Sequence, residues 1–192
     1  MVDFFAHGTA EFSPDAQIGE GTKIWHYVQI RENAVIGKNC NIGKSVYIDK
    51  NVKIGNNVKI QNGVSVYDGI IVEDEVLLGP HCSFTNDLYP RAFNEEWKII
   101  PTLIKKGTAI GSNATILCGI IIGEYCMVGA GAVVIQDTLP YSLMVGNPAR
   151  LKNFVCSCGN ELLLKDISDN KYNYICKKCK KSLGISFQIE AV

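Results

Sequence analysis

Apolar, mostly branched residues return at every sixth position of this chain. The register begins at Phe12 and runs through Ile18, Ile24, Ile30, Ile36, Ile42, Ile48, Ile54, Ile60, Val66, Val72 and Leu78 to Phe84. It resumes at Ile104 and continues through Ile110, Ile116, Ile122 and Val128 to Val134. A helix repeats near every fourth residue and a half-buried strand every second, so neither fits. Two places before the beat the residue is small or β-branched, as at Ala34, Cys40, Val46, Val52, Cys82 and Cys126. Right after it comes Gly eight times, at Gly19, Gly37, Gly43, Gly55, Gly79, Gly111, Gly123 and Gly129. Each six therefore reads as a short strand and a tight turn, in which Gly and Asn are expected to supply backbone angles that other residues resist.

One such unit cannot bury its apolar residue alone, whereas stacked coils bury it in internal columns. The expectation is a parallel β-helix with three flat faces and about three hexapeptides per coil. Six or seven coils at a spacing of about 4.8 Å would make a prism roughly 30 Å long. A sandwich would need longer strands with two-residue alternation, which the chain lacks.

Composition narrows the function classes. Lys+Arg and Asp+Glu balance at 19 each, so no net field points to nucleic acid or to a membrane surface. No basic segment leads into a long apolar run, and no stretch approaches the roughly 18 apolar residues of a membrane span. Eight cysteines without an export signal suggest a reducing, cytoplasmic setting, where they act as small hydrophobes or metal ligands. Cys40, Cys82 and Cys126 fall on the small position of the beat and Cys118 in a turn, so these four are assigned to packing.

The beat breaks between Phe84 and Ile104, a spacing that is no multiple of six. Residues 85–104, "TNDLYPRAFNEEWKIIPTLI", therefore loop out of the prism, and a long loop over an otherwise smooth repeat is where a cleft would form. After Arg150 the beat stops altogether. The expected organisation is a β-helix domain over 1–150 and a separate tail over 151–192.

The hexapeptide pattern over residues 10–150 resembles the left-handed β-helix of the hexapeptide acyltransferase superfamily. "QNGVSVYDG" (61–69), "FTNDLYPR" (84–91) and "GEGTKIWHYVQI" (19–30) are similar to a subgroup that N-acetylates amino sugars carried on UDP or dTDP. The resemblance implies left-handed coils, a homotrimer with sites between prisms, acetyl-CoA as co-substrate and a role in surface glycan synthesis. In the superfamily the small residues Gly111, Gly129, Ala130 and Gly131 and the turn with Asn147, Pro148 and Arg150 would lie along the coenzyme A channel. O-acetylation or another acceptor is the alternative reading. A γ-carbonic-anhydrase-like metal site would need three converging histidines, which the spacing of His7, His26 and His81 does not offer.

Acetyl transfer to an amine needs a neutral amine held close and donors for the oxyanion. The resemblance places Asn86 at the sugar or its amine, with His26 as the candidate imidazole. The second histidine common in the family is replaced by Gln29, which favours catalysis assisted by the substrate itself. Tyr67 and Asp68 match the substrate-facing turn, and Arg91 suits a pyrophosphate or a carboxylate.

The tail carries "CSCG" and "CKKC" (156–159 and 176–179), two close cysteine pairs at hairpin separation. Cys156, Cys158, Cys176 and Cys179 read as a four-thiolate, structural zinc ribbon, although the first pair is Cys-x-Cys and not the usual Cys-x₂-Cys. The tail is mildly basic but lacks interleaved aromatics and an arginine stripe, so nucleic-acid binding is not expected.

Overall fold

The computed structural model describes residues 3–168 and 171–186, so residues 1–2, 169–170 and 187–192 of the two expected domains lie outside it. Each hexapeptide forms a strand ending on its beat residue, as in Lys23–Ile24, Gln29–Ile30 and Val35–Ile36. Strands pair in parallel one coil apart, with Lys23 opposite Asn41 and Ile24 opposite Ile42. Three faces result, starting from Phe5–Ala6, Glu11–Phe12 and Gln17–Ile18. The all-β architecture is the expected parallel β-helix, consistent with a left-handed coil.

The first face stacks eight parallel strands, so the prism has eight coils where six or seven were expected. The extra coils hide at the ends. Ala6 is too small to mark the beat, and Met144 pairs with Val128 out of the six-residue register.

Ile24, Ile42, Ile48, Ile60, Ile104, Ile116 and Ile122 are fully buried in the internal columns. Phe12 departs from this pattern at 43% exposure. It lies in the first coil, where its ring meets that of Phe4 edge-on at 5.9 Å.

The glycines that follow the beat have a reason other than the expected one. A Cβ on Gly19 would lie 2.5 Å from the carbonyl carbon of Gly37, and one on Gly37 2.5 Å from the carbonyl oxygen of Gly55. They are glycines because successive coils touch there, backbone against backbone. The left-handed residue comes two places later, where Asn39 and Asn57 have φ of 54° and 57°. Asparagine tolerates that region better than most side chains. Glycine gives room and asparagine gives the angle.

The loop leaves the prism after Phe84 and returns at the strand Thr102–Ile104, which pairs with Ile70–Val72. The excursion therefore ends at 101, three residues before the expected limit. Two glycines clasp its return: a Cβ on Gly69 (φ 92°) would collide with Ile99 Cγ2, and one on Gly119 (φ 81°) with Ile100 Cγ2. The second face is interrupted above the loop, since Ser65–Val66 and Ser83–Phe84 belong to separate sheets.

At the far end Arg150–Phe154 runs antiparallel to Ser142–Val145, carrying the first sheet past the boundary expected at 150. The tail then forms an antiparallel sheet of Leu162–Ser168, Lys171–Cys176 and Ser182–Ile185. Its small core is Phe154, Cys156, Leu162, Tyr174, Cys176 and Ile185. Among the described residues no helix is long and apolar enough to cross a membrane.

Candidate active site

The corner between the second and third faces holds the loop and four of the candidate residues. The Asn86 carboxamide donates to the Asp68 carbonyl at 3.3 Å, and the Ile100 N–H donates to the Asn86 carbonyl at 3.0 Å. Thr85 Oγ1 accepts from the Cys118 N–H at 2.9 Å, which ties the loop's entry to the coil below. Asn86 and Arg91 share an open concavity of 540 Å³ with Asp87, Pro90, Asn94 and Trp97. The Arg91 guanidinium donates to the neighbouring Pro90 carbonyl at 2.7 Å. Tyr89 and Phe93, at 75% and 83% exposure, stand at the rim of the loop.

Tyr67 and Asp68 lie one coil above Asn86. The Asp68 carboxylate accepts from the Asn51 carboxamide at 3.2 Å, and its N–H donates to Asp49 Oδ2 at 3.3 Å. The Tyr47 hydroxyl donates to Asp49 Oδ1 at 3.0 Å and accepts from Arg31 Nη1 at 3.4 Å. Burial, first, pushes the Tyr47 phenol up, so at neutral pH it stays a donor. The rings of Tyr47 and Tyr67 lie 6.2 Å apart. Tyr47, Asp49 and Asn51 escaped the sequence reading, yet counting one coil back from Tyr67 and Asp68 would have reached them.

His26 sits elsewhere. It occupies the corner between the first and second faces, three coils above Asn86. Its ring stacks on His7 with centroids 3.5 Å apart, beside a concavity of 280 Å³ lined also by Trp25, Lys44 and Asn62. Within one chain Asn86 and His26 share no site. His81 adopts φ of 56°, and its ring fills the space over Gly63.

The coenzyme candidates gather at the C-terminal end of that same first corner. Gly111 and Gly129 touch the next coil, where an added Cβ on Gly111 would lie 2.5 Å from the Ala130 nitrogen. Gly131 faces open space at φ 69°. The Gly146–Ala149 turn is pinned to the strand Val133–Val134: the Val133 N–H donates to the Gly146 carbonyl at 2.9 Å, and the Ala149 N–H to the Val133 carbonyl at 2.7 Å. This presents Asn147, Pro148 and Arg150 beside an exposed wall of Ala130 and Gly131.

In the tail, the Sγ atoms of Cys156, Cys158, Cys176 and Cys179 all lie within 4.8 Å of one another. A tetrahedral zinc with Zn–S of about 2.3 Å would place them about 3.8 Å apart, so the donor set fits. Backbone N–H groups, that of Cys179 first, push the Cys176 thiol down to about 6. The Cys158 thiol is lowered as well, first by the Asn160 N–H.

Comparison with known proteins agrees with this architecture. The family model described as bacterial transferase hexapeptide (six repeats) matches residues 15–50, 51–86 and 101–136, breaking where the loop leaves the prism. A dTDP-3-amino-3,6-dideoxy-α-D-galactopyranose 3-N-acetyltransferase of Aneurinibacillus thermoaerophilus is 47% identical over 88 residues, 46% of this chain and 45% of that protein. A 2,3,4,5-tetrahydropyridine-2,6-dicarboxylate N-acetyltransferase of Brevibacillus brevis is 43% identical over 51 residues, 27% of this chain and 22% of that protein. The chain thus spans less than half the length of these relatives. Among solved structures, a hexapeptide-repeat acetyltransferase of Vibrio cholerae complexed with acetyl-coenzyme A superposes with a TM-score of 0.57 at 28% identity, over 63% of this chain and 70% of that one. PerB of Caulobacter crescentus, solved with coenzyme A and GDP-perosamine, shares the fold with a TM-score of 0.51 at 22% identity, over 79% of this chain and 58% of that one. With its coils, its corner glycines and more than half its length matched by the family model, this chain belongs to the bacterial transferase hexapeptide family.

Proposed function

We propose that the protein transfers acetyl from acetyl-CoA to the amino group, at carbon 3, of a nucleotide-linked aminodeoxy sugar for surface glycan synthesis. The first acceptor to consider is a dTDP-linked 3-amino-3,6-dideoxyhexose, the substrate class in the name of the Aneurinibacillus relative; a UDP-linked 3-amino sugar comes second. The observation that carries this reading is the concavity in which Asn86 and Arg91 face one opening, over the turn of Tyr67 and Asp68.

The chemistry follows from that geometry. The sugar amine attacks the thioester carbonyl, the C–N bond forms, and the C–S bond breaks as coenzyme A thiolate departs with the proton the amine releases. Asn86 and the Asp68 turn hold the amine, while Arg91 meets a pyrophosphate or a carboxylate as a fork of donors. Transfer to a hydroxyl would need a general base. The candidate imidazole, His26, is stacked on His7 three coils above Asn86, which favours an amine acceptor.

The acceptor concavity and the coenzyme wall occupy different corners of one prism. A reaction between them calls for a neighbouring copy whose coenzyme corner lies against the acceptor corner, and three copies close that arrangement in a ring. The homotrimer, the zinc at the four cysteines and a cytosolic setting belong to this proposal.

The test is thiol release from acetyl-CoA with a panel of dTDP- and UDP-linked 3-amino and 4-amino sugars. Turnover on a 3-amino member supports the reading. Coenzyme A binding without turnover on any member overturns the acceptor, and absence of coenzyme A binding overturns the enzyme.

A further inference from the structure

One strand joins the coenzyme turn to the cysteine cluster. Arg150–Phe154 begins at the turn that presents Asn147 and Pro148 and ends two residues before Cys156. Along it Arg150 lies opposite Val145, and Phe154 opposite Ser142. Val145 also touches the coenzyme wall, because a Cβ on Gly129 would sit 3.0 Å from its Cγ1. Beyond the strand, the Val155 N–H donates to the Tyr141 carbonyl at 2.7 Å and the Cys156 N–H to the Asn160 carbonyl at 2.8 Å. The Tyr141 ring stacks on Tyr125 of the coil above, centroids 5.2 Å apart.

Among the described residues the tail rests on its antiparallel sheet and a small core. Six residues form its buried core, and two of them, Cys156 and Cys176, belong to the cysteine cluster. A unit of this size, near the limit of about 40 residues, commonly gains from a metal or another staple in folding. The two closest thiol pairs, Cys156 with Cys179 and Cys158 with Cys176 at 3.5 Å, each join the start of the tail to its second hairpin.

We propose that a zinc ion at these four cysteines clamps the strand Arg150–Phe154 and thereby fixes the coenzyme A turn, so that metal and coenzyme A bind with positive coupling. The inference rests on the reading of Asn147–Arg150 as the coenzyme turn. Loss of the metal frees the tail hairpins, leaves the strand held by its ladder to Ser142–Val145 alone, and loosens Arg150 against Val145. Linkage is reciprocal, so coenzyme A must slow the loss of zinc by the same coupling.

The test uses the full chain, with zinc content measured by atomic spectroscopy and coenzyme A affinity by calorimetry. Removing zinc with a strong chelator is expected to weaken coenzyme A binding roughly ten-fold, within the usual range of such couplings. Cys179→Ser, distant in sequence from the turn, should reproduce the loss while far-UV circular dichroism retains the signal of the prism. Saturating coenzyme A should shift zinc release to higher chelator concentration. Unchanged coenzyme A affinity after full zinc removal overturns the coupling and leaves the proposed function standing. Purified protein without zinc, and without affinity for it, also overturns the coupling. Failure of the zinc-loaded protein to bind coenzyme A overturns both readings.

Discussion

The Asn86 carboxamide donates across one coil to the Asp68 carbonyl, 3.3 Å away, while the Asn86 carbonyl accepts from Ile100 at the loop's return. One residue thus anchors both the acceptor turn and the loop above the concavity. Replacing it with alanine removes a positioned polar group from the site, a loss that typically lowers kcat about a hundred-fold. Stability should fall by only about 1 kcal/mol for the lost hydrogen bond. Steady-state rates and thermal melts of Asn86→Ala separate the two, and a large drop in melting temperature with little change in kcat would make the residue merely structural.

The loop's return depends on Ile99 over Gly69 and Ile100 over Gly119. Ile99→Ala leaves the prism intact and releases one side of that clasp. The expected result is a rise of about ten-fold in KM for the sugar with an unchanged KM for acetyl-CoA, since small misplacements at a site are costly. Equal changes in both would place the effect outside the loop.

Two corner glycines should respond to a methyl group to different degrees. Gly37→Ala drives a Cβ to 2.5 Å from the Gly55 carbonyl oxygen, an overpacking that typically costs about 1–3 kcal/mol. Gly131→Ala meets nothing within 4 Å, and its φ of 69° costs about 1 kcal/mol. The ranking is read from denaturant midpoints. In the coenzyme A assay the order should reverse, because Gly131 borders the wall and Gly37 does not.

Burial pushes the Cys82 thiol up from its ordinary 9.0 to about 12. A raised value favours the protonated thiol in the fold, so its contribution is complete below about pH 9. It is lost as pH rises from there through 12, where the unfolded chain ionises first. Melting temperature should therefore decline in that window, and less steeply in Cys82→Ala. Thiol labelling at pH 8 should leave Cys82 unmodified in the native protein.

Much of the architecture was legible because a six-residue beat admits few structures. The columns from Ile24 to Ile122 are buried as the period requires. The glycines were located correctly and explained wrongly: a one-dimensional string cannot show that Gly19 meets Gly37 one coil below, so turn angle seemed the only cause. The coil number came out low because the end coils carry Ala6 and Met144 where the beat needed branched residues. At the site, the segment motifs pointed to Asn86 and the Asp68 turn, which meet. They gave no hint that His26 would stack on His7, since that contact joins two different coils. Tyr47 and Asp49 were missed for the same reason, lying in a segment with no motif of its own.

The coil also sets an arithmetic for growth. Because Lys23 stacks on Asn41 and Lys59 on Leu77 at one fixed interval, an extra residue in a strand or corner would turn every later side chain onto the wrong face. A whole added coil restores the stack. The loop escapes this rule: Ser83–Phe84 and Thr102–Ile104 both rejoin the ladder in register, whatever lies between them. On the proposed function, the acceptor concavity is built in the segment whose length the prism does not count, so that its lining can change while the coils beside Gly129 and Gly131 keep their register.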